Sequence, residues 1–188
     1  MSPLGIVSGI LFVIFVFVVL LYNNLVAKKN QVLNVFSSTD VLLKKRYDLI
    51  PNLVEAVKTY MQHEKTLLTE VTELRAKATS GRLTDEEKVD IDNQVTKAIG
   101  GLMVAVENYP DLKANQNFLQ LQQSLNEVEE QISAARRAYN ASVTDYNNAI
   151  EMFPSNIIAS MINYKQKPFF VIDEKERENV DVGRLFSS

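Results

Sequence analysis

FLQLQQSLNEVEEQISAARRAYNASVTDYNNAIEMF, residues 118–153, is the stretch that decides the fold. Within it Phe118, Leu121, Leu125, Val128, Ile132, Ala135, Tyr139, Val143, Tyr146, Ile150 and Phe153 recur at intervals of three or four. Over about ten turns that spacing keeps them on one side of an α-helix, close to a coiled-coil seam. So long an apolar stripe needs partner helices to cover it. Pro154-Ser155-Asn156 ends it.

Moving toward the N-terminus, Tyr109-Pro110 closes a shorter helical pattern in which Val95, Ile99, Leu102 and Val106 share a face. Thr84-Asp85-Glu86-Glu87 reads as its capping box, with Thr84 as cap and Glu87 reaching back. Gly100-Gly101 lies inside this helix at a cost of about 1 kcal/mol each, and the pair is expected to allow close packing of a neighbour, the favoured reading, or to mark a bend. Thr79–Leu83 reads as a loop.

Before that loop, Val32, Phe36, Thr39, Leu43, Tyr47, Ile50, Val54, Val57 and Met61 form one row, and Leu53, Tyr60, Leu67 and Leu74 a second. The two rows make a face wide enough for two other helices. Pro51 removes a donor and crowds the carbonyl of Tyr47, so a kink, or a break with a restart, is expected there. Since no Pro or Gly intervenes before Asn30, a rod continuous from Leu4 to Ala78 would reach ~110 Å.

The first 27 residues carry no charge, while all 20 Lys and Arg and all 23 Asp and Glu fall in 28–188. Leu4 to Tyr22, broken only by Gly5, Ser8 and Gly9, spans roughly 28 Å as a helix, enough to cross a bilayer once. Leu4, Ile10, Phe15 and Leu20 mark the span, and the amphipathic ring of Tyr22 suits the water interface. No basic residue precedes it and no small-x-small site follows, which favours an anchor over a cleaved signal peptide. Lys28 and Lys29, then Lys44, Lys45 and Arg46, put the body in the cytoplasm by the positive-inside rule, with the short N-terminus outside.

The expected organisation is therefore an N-terminus at 1–3, a transmembrane anchor at 4–27, an antiparallel helical bundle at 28–160 and a tail at 161–188. The fold class is all-α: an N-terminal transmembrane helix followed by a long antiparallel three-helix, coiled-coil-like bundle. Ile157–Ile162 is too short to span and should cap the bundle or touch a neighbour. Lys167–Ile172 is a candidate to become ordered by adding to another surface, and Asp173–Asn179 reads as solvated.

Certain strings make the chain recognisable. They are Arg46-Tyr47-Asp48-Leu49-Ile50-Pro51-Asn52-Leu53-Val54, Tyr60 with His63-Glu64, Glu107-Asn108-Tyr109-Pro110-Asp111-Leu112-Lys113-Ala114, Arg136-Arg137-Ala138-Tyr139-Asn140, Asp145-Tyr146-Asn147 and Phe153-Pro154-Ser155-Asn156. In this order, over nearly the whole chain, they resemble the LemA family of bacterial membrane-anchored proteins. The resemblance implies a bacterial cell-membrane protein with one N-terminal transmembrane helix, its short end outside, and a long antiparallel helical domain. It brings no reaction, cofactor or catalytic residue with it.

Chemistry is sparse. A net charge of −3 and a pI near 5.3 disfavour nucleic acid as a partner. Without cysteine there is no thiolate, disulfide or acylated anchor. His63 is the single histidine, and Leu67 stands where H-E-x-x-H needs its second. One histidine also forbids the twofold Glu-x-x-His of bundle di-iron sites. Glu127, Glu129 and Glu130 read as a hydrated face, and Arg136-Arg137 as salt links to neighbouring helices. No cofactor and no small-molecule substrate is indicated.

Polar residues interleaved with aromatics are more informative. Arg46, Tyr47, Asp48, Asn52, Tyr60, Asn108, Tyr109, Arg136, Tyr139, Asn140 and Tyr146 are candidates for a buried polar network that fixes helix register, or for an interface. The expected function is a non-enzymatic, single-pass scaffold at the bilayer surface that self-associates into a homo-oligomer. The alternative is a membrane-anchored adaptor for a client protein or a membrane protease partner.

Overall fold

Six helices follow one another in the computed structural model, which describes residues 2–81 and 83–170: α1 (Pro3–Lys58), α2 (Lys65–Ala78), α3 (Asp85–Val106), α4 (Pro110–Lys113), α5 (Gln116–Glu151) and α6 (Ser155–Met161). No strand occurs among the described residues. The solvated stretch expected at Asp173–Asn179, and the tail from 171 onward, lie outside them.

α1 starts where local chemistry starts it. Ser2 is extended and its hydroxyl accepts from the Gly5 N–H, while Pro3 takes the first helical position, where its missing N–H costs nothing. For its first 18 residues the helix touches nothing, and its most apolar 18-residue window has a mean hydropathy of 3.1 with no residue buried. Leu4, Ile10, Phe15, Leu20 and Tyr22 are all exposed. Such a helix is long and apolar enough to cross a membrane.

Leu25 is the first fully buried residue, and from there Val32, Phe36, Thr39, Leu43, Tyr47, Ile50, Leu53 and Val57 form the central seam of the body. α5 lies antiparallel along it. Lys28 meets Asp145, Phe36 meets Tyr139, Arg46 meets Glu129 and Tyr60 meets Asn115, so numbers rise on one helix as they fall on the other. Asn115 starts α5 by accepting from the Asn117 and Phe118 N–H groups.

Pro51 does not break α1. The carbonyl it deprives of an intrahelical partner, that of Tyr47, accepts instead from Arg75 Nε of α2 at 2.9 Å. The helix ends at Lys58, a turn at 59–64 follows, and α2 folds back. A tertiary hydrogen bond has thus taken the place of a local one, and the expected rod from Leu4 to Ala78 is replaced by a 56-residue helix of ~84 Å plus a returning helix.

This break also changes the helix count. α2 and α3 form a hairpin laid on the α1–α5 pair, so the half of the body far from the anchor has four helices in cross-section rather than the three expected. The core falls into three consecutive sections. Leu25, Val32, Phe36, Tyr139, Val143 and Ile150 fill the section nearest the anchor; Leu43, Ile50, Val71, Val95, Val128 and Ile132 the middle; Leu53, Val57, Met61, Leu102, Leu112 and Phe118 the far end. Each side chain fully buried there contributes ~1.5–3 kcal/mol.

α3 carries the capping box read from its sequence: Thr84 Oγ1 accepts from the Glu87 N–H at 3.2 Å, and Glu87 accepts from the Thr84 N–H at 2.7 Å. The Thr84 N–H and, at 2.9 Å, the Thr84 hydroxyl both donate to the Glu87 carboxylate and hold its pKa below the ordinary value. Gly100 and Gly101 do not serve close packing; both are exposed, and a Cβ at either would meet nothing within 4 Å. Phe153, assigned to the α5 seam by its spacing, is exposed because the seam ends at Ile150, where α6 turns back onto α1 and α5. Residues 164–170 then run in extended form along α5, so the packed body includes α6 and reaches Phe170, past the expected boundary at 160.

Candidate functional site

Two polar assemblies are built on the α1–α5 pair. The first joins three helices through charges. Arg46 of α1 is 1% exposed and Asp92 of α3 is fully buried. Arg46 Nη2 donates to one carboxylate oxygen of Asp92, and Arg136 Nη2 of α5 to the other. Arg46 Nη1 also donates to Glu129 at 2.7 Å and to Thr96 Oγ1 at 2.8 Å. Two guanidinium groups face two carboxylates, so the formal charge of the quartet is zero. That balance is what makes its burial tolerable, because an unpaired ion would leave water at a cost of several kcal/mol.

Tyr47 borders this quartet, with the Arg46 guanidinium 5.8 Å from its ring centre. Burial, and next the Asp92 charge, push its phenol up to about 12. The group therefore stays neutral across the physiological range.

The second assembly is a ladder. Tyr139-Asn140 and Tyr146-Asn147 are the same dipeptide seven residues apart on α5. Asn147 donates through Nδ2 to the Lys167 carbonyl at 3.0 Å and accepts through Oδ1 from the Lys167 N–H at 2.9 Å. Asn140 holds Phe170 in the same two-bond manner, at 3.0 and 2.9 Å. Tyr139 and Tyr146 hydroxyls donate to the carbonyls of Pro168 and Lys165. Two turns of helix advance ~10.5 Å and three extended residues ~10 Å, so the two spacings match. Each Asn amide presents the donor and acceptor of a missing neighbouring strand. Phe170 is buried against Phe36 and Tyr139, with centroids 6.2 and 4.9 Å away.

Of the residues singled out in the sequence, Arg46, Tyr47 and Arg136 gather at the quartet, and Tyr139, Asn140 and Tyr146 at the ladder. The others stand apart. Asp48 is exposed and pairs with Lys44 on its own helix at 2.7 Å; Asn52 and Asn108 are exposed; Tyr109 caps α4; Tyr60 lies at the surface and accepts from Asn115 at 3.3 Å. Glu129 departs from the hydrated face expected of its acidic run, since it pairs with Arg46. Arg137 keeps to its own helix, donating to Ser133 at 3.0 Å.

Sequence reasoning missed Asp92 and Thr96. Asp92 is one turn before Val95 on the buried row that continues through Leu102 and Val106, and a carboxylate in that register is the signal that was available. Among the described residues no three His, Cys, Asp or Glu side chains are grouped as metal ligands, and His63 is exposed. The quartet ties α1, α3 and α5 together through charge, while Nε of Arg46 and of Arg136 is buried without a hydrogen-bond partner.

The LemA family model matches residues 35–183, a range that takes in both assemblies. The chain belongs to the LemA family. Protein LemA of Metamycoplasma hominis is 28% identical over 163 residues, covering 87% of this chain and 74% of its own length. Magnetosome protein MamQ 2 of Paramagnetospirillum magneticum is 23% identical over 174 residues, 79% of this chain. Magnetosome protein MamQ of Magnetospirillum gryphiswaldense is 32% identical over 79 residues, 42% of this chain. This LemA-family chain spans 64% of the former MamQ protein and 29% of the latter. None of these names states a catalytic activity. The chain is a membrane-associated helical protein.

Proposed function

We propose that this protein is a non-enzymatic scaffold: one anchor per chain, a rigid helical body at the cytoplasmic face of the bacterial cell membrane, and association of bodies into a homo-oligomer. The observation that carries the reading is the continuity of α1, whose bare apolar half and packed half are one helix from Pro3 to Lys58. Whatever holds the span in the bilayer also holds the body at a set height. Chains confined in this way meet at a raised effective concentration, so weak lateral contacts suffice. Val41 and Leu119, large apolar side chains left exposed on α1 and α5, supply candidates for such contacts.

The cytoplasmic side is supported by Lys28, Lys29, Lys44 and Lys45 just beyond the span. A reporter active only in the cytoplasm, fused after Ser188, is expected to work; silence of a well-expressed fusion would reverse the orientation. For assembly, the protein-only mass of the full-length chain in mild detergent is expected to be a fixed multiple of 21.3 kDa that survives dilution. A monomer at every concentration would sink the scaffold.

A second reading, an adaptor for a client or membrane protease partner, is supported by a groove of about 850 Å³ where α1 turns into α2. Val54, Met61 and Leu68 line it together with Glu55, Lys58 and Glu73. A partner retained by the native protein and lost in Leu68→Glu, with self-association unchanged, would select this reading. The tail version of the adaptor is weakened because Phe170 is already engaged by its own body.

A further inference from the structure

We infer that the α5–α6 corner is a second membrane contact, a wedge of apolar side chains that enters the headgroup region of the same bilayer the anchor crosses. The inference rests on the reading of residues 4–22 as a bilayer span. Its first support is register. Ala149 and Ile150 share a core section with Leu25, and Asp145 pairs with Lys28 at 3.4 Å, so the residues after Ile150 lie level with Tyr22, where the span ends. The chain itself thus carries the corner to the lipid surface.

What the corner presents there is apolar. Phe153 is 79% and Met161 81% exposed, with Met152 and Ile157 also largely bare. Ile157 and Met161 stand one turn apart on the outer side of α6, while Ala159 on its inner side is buried. Exposure of four such side chains to water would be unfavourable, and it is relieved if they enter the boundary between headgroups and acyl chains.

Charge agrees with this. From Met152 to Tyr164 no residue is Asp, Glu, Lys, Arg or His. The stretch is followed by Lys165 and Lys167 and lies beside Lys28 and Lys29, whose ammonium is 4.9 Å from the Tyr164 ring centre. Lysines ringing an uncharged apolar tip suit an anionic leaflet, whose surface potential attracts them. A single span leaves the body free to tilt about its exit point. A second contact, offset from the α1 axis, sets that tilt.

The chain has no tryptophan, so one introduced indole reports a single position. Phe153→Trp and Met161→Trp replace exposed side chains and are made separately in the full-length chain, reconstituted in vesicles of phosphatidylcholine with phosphatidylglycerol. Phe15→Trp reports the span and Val104→Trp the end of the body far from it. Both corner variants are expected to emit to the blue of Val104→Trp and to be quenched by lipids brominated near the headgroup. Phe15→Trp is expected to be quenched most by lipids brominated deeper in the chain.

Water-like emission at positions 153 and 161, with Phe15→Trp quenched, would overturn the wedge and leave the anchor standing. A blue shift without bromine quenching would also overturn it, assigning the corner to a second copy of the chain. So would quenching at Val104→Trp as strong as at the corner. An unquenched Phe15→Trp would remove the anchor and the wedge together.

Discussion

α1 is one uninterrupted helix with two incompatible surroundings. Up to Tyr22 its side chains, Ser8 apart, are apolar on every side and the body covers almost none of them; from Leu25 to Val57 one face is buried at three- and four-residue spacing and the other is largely polar. Backbone geometry is the same in both halves. What differs is the distribution of apolar groups around the axis, and this alone separates a helix solvated by lipid from one solvated by protein on one side and water on the other.

An aspartate placed in each half tests that contrast most severely. In Leu43→Asp the charge enters a position 2% exposed, and a loss of ~5 kcal/mol or more is expected, enough to abolish a cooperative melt of the body by circular dichroism. In Val13→Asp the melt of the body is expected to be unchanged while membrane insertion becomes ~3 kcal/mol less favourable, read as the fraction left in the soluble pool. If Val13→Asp lowered the melting temperature of the body, the two halves would not be independent.

Within the packed half, the quartet is the next test. Asp92→Ala leaves buried Arg46 with Glu129 as its one carboxylate and Arg136 without its Asp92 partner, and a loss of ~3–5 kcal/mol is expected in chemical denaturation. Replacing Arg46, Asp92 and Arg136 together by apolar residues of similar size is expected to restore most of it. If the triple variant remained as unstable as Asp92→Ala, the cost would lie in packing rather than in the unpaired charge.

Tyr47 supplies a pH dependence that the bare half lacks. Its phenol ionises at about 12 when folded and near the ordinary value of 10 when unfolded, so the unfolded chain gives up the proton first. The stability carried by the neutral ring is whole below pH 10 and falls as pH rises through 12, by ~3 kcal/mol in all. Tyr146, also raised by burial, acts in the same sense. Tyr47→Phe should therefore flatten most, but not all, of the decline in melting temperature above pH 10; an unchanged profile would contradict the burial of the phenol.

The smallest effect concerns α3. Gly100→Ala or Gly101→Ala adds a methyl group to open space in a helix interior, so each is expected to stabilise by ~0.5–1 kcal/mol. A loss of stability in either would reinstate the close packing that a glycine pair suggests.

These particulars show where sequence legibility ends. The anchor, the long α5, the Thr84–Glu87 capping box and most of the α1 seam were readable because each is written in residues within a few turns of one another. At Pro51 a kink and a break with a restart both stayed open because the bond that meets the freed carbonyl comes from Arg75, and Asp92 was passed over because its partners are on α1 and α5. The Tyr-Asn repeat was visible, but not that an extended segment of the same chain would lie against it.

By itself the sequence determined an all-α, membrane-associated chain of the LemA family with one helix long and apolar enough to span a bilayer, because helix periodicity, capping and bilayer length are local properties. Only the tertiary structure decided that four helices rather than three make the far half of the body, that two arginines share one buried aspartate, and that residues 164–170 are held along α5. Those outcomes depend on which unsatisfied carbonyls, charges and amides meet across helices, and no local pattern encodes the partner of a group whose partner is dozens of residues away.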